Sequence, residues 1–283
     1  MKTLAFIHRN DTRFAVGDFS PVLSVFSHYE LGNTISPFLL LDHIGPGHLA
    51  PLSTKKGVDE HPHRGFETVT IVYKGEVEHK DSKGGGGIIR GGDVQWMTAA
   101  AGITHREFFS EEFRKQGGDF EMIQLWVNLP ARDKLSAPHY QSLTSEQIPV
   151  VELPDDMGSV RVIAGQFDGE SGPAKTHTRI NILDVRMKAG QSTVFPTEAG
   201  DTAIVYLLSG QLQFDTENMD AAGMAVMGNQ NADIEVKTLA DSRFLVLSGE
   251  PINEPFFGRG PFIMNTFEEI LEAFEDFKNG KLG

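Results

Sequence analysis

Two histidines, His61 and His63, stand two residues apart in "EHPHRGFET" (60–68), and "GITHREFF" repeats that spacing with His105 and Glu107. Alternate residues of a strand project from one face, so each pair aims its side chains together. Three imidazole nitrogens and one carboxylate oxygen suit a divalent metal ion and leave positions open for water or substrate. Pro62 cannot donate to a sheet ladder, which places the first pair at a sheet edge or strand start and stiffens it. Glu67 competes for the fourth position; Glu107 ranks above it, leaving Glu67 to accept a ring N–H and fix a tautomer. Each pair alone has a plainer reading, as ordinary buried or exposed histidines or as a surface ion pair of Glu107 with Arg106 or Arg114. Together, within one β-rich stretch, they favour a metal.

Other residues are weaker candidates. Phe38, Leu40, Trp96 and Met97 could line a pocket over the metal, although core packing explains each of them equally simply. His43, His48, His79, His139 and His177 are isolated in sequence and are expected to be solvated or hydrogen-bonded. "KGGGG" (83–87) lacks the Lys-Ser/Thr and following helix of a phosphate-cradling loop, so it reads as a flexible hairpin loop.

The elements that must position these residues are short apolar and β-branched runs bounded by Gly, Pro, Asp or Asn, among them "ETVTIVYKGEVEHK", "GDVQWMTA", "FEMIQLWVNL" and "TAIVYLLSGQLQF". Such runs with little helical periodicity predict an all-β sandwich or barrel. The exception is 266–279, where Phe267, Ile270, Leu271, Phe274 and Phe277 recur at helical spacing. Thr266 and Glu269 form a capping-box pair and Gly280 a stop, and the apolar stripe is expected to pack on the body of the protein. The polar, proline-punctuated 133–143 reads as a linker, dividing the chain into 1–132 and 144–283. The halves look alike: "FETVTIVYKGEVEH" (66–79) lies over "DTAIVYLLSGQLQF" (201–214). In that overlay His61 meets Pro196 and His63 meets Glu198, so only the N-terminal half is expected to be active.

Composition narrows the function classes. With 283 residues, 40% hydrophobic and 23% charged, the chain is an ordinary globular one. A formal charge of -14 argues against direct nucleic-acid binding. The absence of cysteine excludes disulfides, thiolate ligands and a cysteine nucleophile. The opening apolar run is too short for a signal-peptide core and no later run could span a bilayer, so a cytoplasmic protein without membrane association is expected.

"HPHRGFETVT", "GGDVQWMTA", "GITHRE", "IQLWVNLP" and "GEPINEPFFGRGPFIMNTFEEI" closely resemble the pirin family, and the likeness runs from "SPFLLLDH" to the C-terminal helix. The resemblance implies two tandem cupin (jelly-roll) β-barrels with a C-terminal α-helix, the first barrel binding iron and the second lacking a site. It carries the metal ligands onto His61, His63, His105 and Glu107, and makes Glu67 a non-ligand although the general cupin pattern coordinates through a glutamate of its first motif. One divalent ion is expected, Fe2+ first, with Mn, Ni, Cu or Zn compatible with the donors. For bacterial members the resemblance suggests a quercetin 2,3-dioxygenase, which opens a flavonol with O2 and releases CO; Glu107 would also accept the substrate proton. The alternative is a non-enzymatic, iron-dependent, redox-sensitive regulator that binds a protein partner. A cupin binding a small acid or sugar is a third reading. Internal duplication fits a monomer.

Overall fold

The computed structural model describes residues 1–282, and the chain forms two compact units. The first holds residues 11–30, 38–145 and 252 onward; the second holds 1–10, 31–37 and 146–251.

In the histidine-bearing unit a seven-stranded antiparallel sheet runs His139–Leu143, Val94–Thr98, Phe66–Lys74, Gly118–Asn128, Phe38–Leu49, Phe19–Ser27, Arg13–Val16. A four-stranded sheet runs Gly57–His63, Ile103–Phe109, Glu76–Asp81, Gly86–Arg90. The core joins the two: Val77, Ile89 and Phe109 of the small sheet cluster with Val22, Ile44, Val72 and Met122 of the large one. This is the face-to-face packing of a jelly roll. Gly57–His63 is an edge strand, the place where Pro62 costs no ladder donor on its outer side.

The second unit repeats the plan. Its seven-stranded sheet runs Leu4–His8, Met224–Met227, Thr202–Ser209, Ser242–Gly249, Ile180–Met187, Gly158–Ala164, Val150–Glu152, and its four-stranded sheet runs Ser192–Phe195, Ile234–Thr238, Gln211–Phe214, Glu217–Asp220. The thin sequence overlay thus marks two copies of one β unit. In this copy the interior is apolar, with Phe195, Phe214, Ile234 and Val236 at 0–2% exposure within one cluster.

The boundaries differ from those expected. Residues 133–143 are no free linker: His139–Leu143 forms the edge strand beside Val94–Thr98, and Lys134 is 1% exposed. Its Nζ donates to Gly65 O (2.6 Å), Asn128 Oδ1 (2.6 Å) and Ile263 O (3.0 Å), using all its protons. Polarity marked this stretch as a linker, but the charge is consumed by two backbone carbonyls and the Asn128 amide oxygen. Lys134→Met should therefore cost on the order of 3 kcal/mol, because three buried acceptors lose their donor at about 1 kcal/mol or more each. A fall of several degrees in the melting temperature would register it.

The helix Phe267–Lys278 belongs to the first unit instead of closing the second. Thr266 and Glu269 cap it reciprocally, Glu269 N donating to Thr266 Oγ1 (3.2 Å) and Thr266 N to Glu269 Oε2 (2.9 Å). Arg64, next to His63, anchors it by donating from Nη2 to Asp276 Oδ2 (3.0 Å). The apolar stripe is only partly covered: Ile270 and Ala273 are buried, while Phe267, Leu271, Phe274 and Phe277 are 37–46% exposed. The covered face is rotated from the stripe toward Asp276, whose ion pair with Arg64 sets the roll of the helix. No helix among the described residues is long and apolar enough to cross a membrane.

Candidate metal centre

Register brings the two pairs together. Gly57–His63 pairs antiparallel with Ile103–Phe109 so that His105 lies directly opposite His61 and Ile103 opposite His63. A bulge follows, shifting the partner of Glu107 to Val58. The peptide around it is used: His61 Nδ1 donates to Asp59 O (2.8 Å), which leaves its Nε2 lone pair free. The rings of His61 and His105 lie 4.2 Å apart, and His63 lies 4.9 Å from each.

The potential ligand atoms of His61, His63 and His105 all fall within 4.8 Å of one another. A second triplet, His79, His105 and Glu107, meets the same limit, so the expected four residues occupy two overlapping groups that share His105. All three rings of the first group are held neutral. Burial lowers the His61, His63 and His105 pKa values, and neighbouring imidazoles push His63 and His105 down further. Burial also pushes the Glu107 carboxyl up to about 7, against hydrogen bonds from Gln95 and Thr70. Among the described residues, His63 Nδ1 and His105 Nε2 are buried without a hydrogen-bond partner. Buried imidazole nitrogens left unsatisfied are costly, and a coordinated cation would satisfy them. The donor set fits a divalent metal.

Two rows of the large sheet back this centre, since residues paired directly across strands share a face. One row is Leu40, Trp126, Thr68, Met97 and Tyr140. It brings Trp126 to 5.4 Å from the His63 ring and stacks Tyr140 on His79 at 5.1 Å and 19°. The next row is polar: Asp42, Gln124, Thr70 and Gln95, with Gln95 Nε2 donating to Glu107 Oε1 at 3.5 Å. Leu40 and Met97 therefore stand on the face of the site.

Phe38, Glu67 and Trp96 do not. Phe38 pairs with Val127, Val127 with Glu67, and Glu67 with Thr98, a row on the opposite face. Glu67 Oε1 accepts from Trp96 Nε1 (2.9 Å) and Thr98 Oγ1 (2.7 Å), on the face away from the site. Its odd position in a fully buried strand puts it with Val69, away from Thr68 and Thr70.

Sequence reasoning missed His79, Gln95, Trp126 and Tyr140. His79 is far from isolated: its Nδ1 is 3.2 Å from His105 Nδ1. A signal existed, because "HKD" is a third pair of chemistry-bearing residues two apart, on a strand that pairs with Ile103–Phe109. His43 and His48 behave as expected, bonded to Glu121 (3.3 Å) and Asp119 (3.1 Å).

Asp42, at the far end of the polar row, is pushed up to about 7 by burial, partly offset by Ser24. Its unfolded value is near 3.8, so the native state keeps a proton that the unfolded chain releases. Stability falls as pH rises from about 4 to about 7, and the full cost persists above 7. Asp42→Asn should remove that loss, a few kcal/mol in order of magnitude. Urea midpoints at pH 4 and pH 8 would show the variant gaining far more on the parent at the higher pH.

Two family profiles match the chain, "Pirin" over residues 20–127 and "Pirin C-terminal cupin domain" over 182–283. A Pseudomonas aeruginosa protein named "Putative quercetin 2,3-dioxygenase" is 50% identical over 99% of this chain and 98% of its own. The chain belongs to the pirin family. Mouse pirin is 38% identical across 90% of this chain and 85% of its own length. The crystal structure of an Acinetobacter baumannii quercetin 2,3-dioxygenase superposes with a TM-score of 0.97 at 45% identity, covering 100% of this chain and 99% of that one. The fold is that of a bicupin, and in this pirin the copy with apolar residues in its interior carries Phe214 where the other has His79.

Proposed function

We propose that this pirin is a metal-dependent dioxygenase that opens a flavonol of the quercetin type with O2 and releases CO, with Fe2+ held by His61, His63, His105 and Glu107. The observation that carries the reading is the convergence of His61, His63 and His105, with the buried Glu107 carboxyl grouped on the same His105. When bound, the metal supplies Lewis acidity that lowers the pKa of a coordinated flavonol hydroxyl. Glu107 would accept that proton as a carboxylate within hydrogen-bond reach of the substrate. Gln95 orients the carboxylate through its amide. Trp126, partly exposed 5.4 Å from His63 and backed by the buried Phe66 ring at 4.3 Å, offers an aromatic face to a planar polyphenol. The names of the P. aeruginosa and A. baumannii relatives support the same activity. Protein loaded with ferrous iron should bleach quercetin absorbance in air and evolve CO. No loss beyond a metal-free control, across iron, manganese, nickel, copper and zinc, defeats the proposal.

A second reading rests on the half-exposed Phe267, Leu271, Phe274 and Phe277 of the C-terminal helix, an apolar stripe open to a protein partner. It makes the protein a regulator whose partner binding follows the iron oxidation state. Pull-downs with ferrous and ferric protein would then recover different partners; identical sets contradict it.

A further inference from the structure

We propose that His79, backed by Asp81 and Tyr140, is a positioning residue that accepts the Nδ1–H of His105 and so commits His105 Nε2 to coordination. The inference rests on the metal centre proposed above and adds to it residues outside the ligand set.

Register places the parts. Glu76–Asp81 pairs with Ile103–Phe109 so that Asp81 lies opposite His105 and His79 opposite Glu107. All four side chains share one face of the sheet. His79 Nδ1 and His105 Nδ1, 3.2 Å apart, are held together by a single proton. If His105 carries it, His105 Nε2 keeps a lone pair where it is buried without a hydrogen-bond partner among the described residues. His79 then bears its own proton on Nε2, which faces Asp81 Oδ2 at 3.7 Å. Both of those atoms are also buried without a closer partner. The reverse assignment sets the lone pair of His79 Nε2 against a carboxylate and points an N–H of His105 into a cluster of imidazoles. Only the first arrangement is electrostatically consistent along the whole chain of groups.

The support is built. Asp81 Oδ1 accepts from Lys83 N (2.8 Å) and Gly85 N (2.9 Å), so the glycine-rich loop clasps the carboxylate. A Cβ on Gly85 would lie 2.3 Å from Asp81 Oδ2 and 2.9 Å from Tyr140 Cβ, which is why that loop position lacks a side chain. Tyr140 stacks on His79 and fixes its plane, with its hydroxyl donating to Gln95 Oε1 (3.3 Å). In the second barrel the overlay puts Phe214 at the place of His79, within the apolar cluster. The orienting residue is absent where the paired histidines are absent.

The test uses Co2+ as probe on the full chain, comparing the parent with His79→Phe, which keeps a ring under Tyr140, and His79→Asn, which restores an acceptor near Nδ1. Dissociation constants come from the visible absorption of bound Co2+, and exchangeable imidazole N–H signals from paramagnetic proton NMR. The expected result is a 10–100-fold weaker affinity and a rapidly exchanging His105 N–H in the Phe variant, with the Asn variant within about threefold of the parent. Circular dichroism of the metal-free proteins checks folding, and His79→Gln, whose oxygen reaches beyond the Nδ1 position, replaces Phe if that variant misfolds. Equal affinities and unchanged N–H exchange in all variants would overturn the inference alone. A shifted imidazole signal lost in both the Phe and Asn variants would make His79 a ligand and overturn it too. Failure of the parent to bind Co2+ would instead remove the metal centre itself.

Discussion

Replacing His105 by alanine is expected to abolish metal retention and all quercetin turnover, the largest effect of any single substitution in the chain. His105 belongs to both triplets of ligand atoms, lies opposite His61 in the ladder and touches His79, so no neighbouring group can take its place. Loss of a direct ligand should weaken binding by more than the 10–100-fold typical of a supporting residue. The metal-free fold should not suffer in proportion. Neutral imidazoles crowded together with unsatisfied nitrogens are a burden on the empty barrel, and removing one offsets part of the cavity left behind. Elemental analysis after dialysis, with melting curves of the metal-free forms, separates the two effects. A variant that retains stoichiometric iron would contradict the assignment of His105.

Glu107→Gln is expected to lower kcat by roughly 10²–10⁴, the usual contribution of a positioned general base, even at metal concentrations that saturate the site. The side chain keeps its shape but can no longer accept a proton. Gln95, whose Nε2 now donates to Glu107 Oε1, can still bond the amide oxygen, so packing is conserved. Weaker metal binding accompanies the change because a neutral oxygen replaces an anionic one. A kcat that survives in fully loaded Glu107→Gln would move the proton to another acceptor and leave Glu107 as a ligand only.

Much of the centre was legible from spacing. Alternation on a strand pairs His61 with His63 and His105 with Glu107, and the structure adds the ladder that sets His105 against His61 and the second triplet that brings in His79. The face of each long strand was not legible. Phe66–Lys74 is buried on both sides, so its hydrophobicity carries no alternation to say that Thr68 and Thr70 look toward the site while Glu67 looks away. That ambiguity misplaced Glu67, Trp96 and Phe38 together, since all depend on the same register. Lys134 shows a second limit: a charged residue in a proline-rich stretch reads as solvent-exposed until the three carbonyl oxygens around it are seen. His79 was overlooked because a histidine was weighed singly, although Asp81 two residues on supplied the pattern already recognised elsewhere.

The interleaving of the two units bears on how the protein is made. The strand Leu4–His8 pairs with Met224–Met227, Leu4 standing against Met227. At a translation rate of roughly 5–20 residues per second, this first strand leaves the ribosome some tens of seconds before its partner exists. Until then an apolar edge waits unpaired, which makes the nascent N-terminus a natural client for a chaperone. Severing the gene near its midpoint would strand that segment permanently, so two half-length products are expected to precipitate where the intact chain folds.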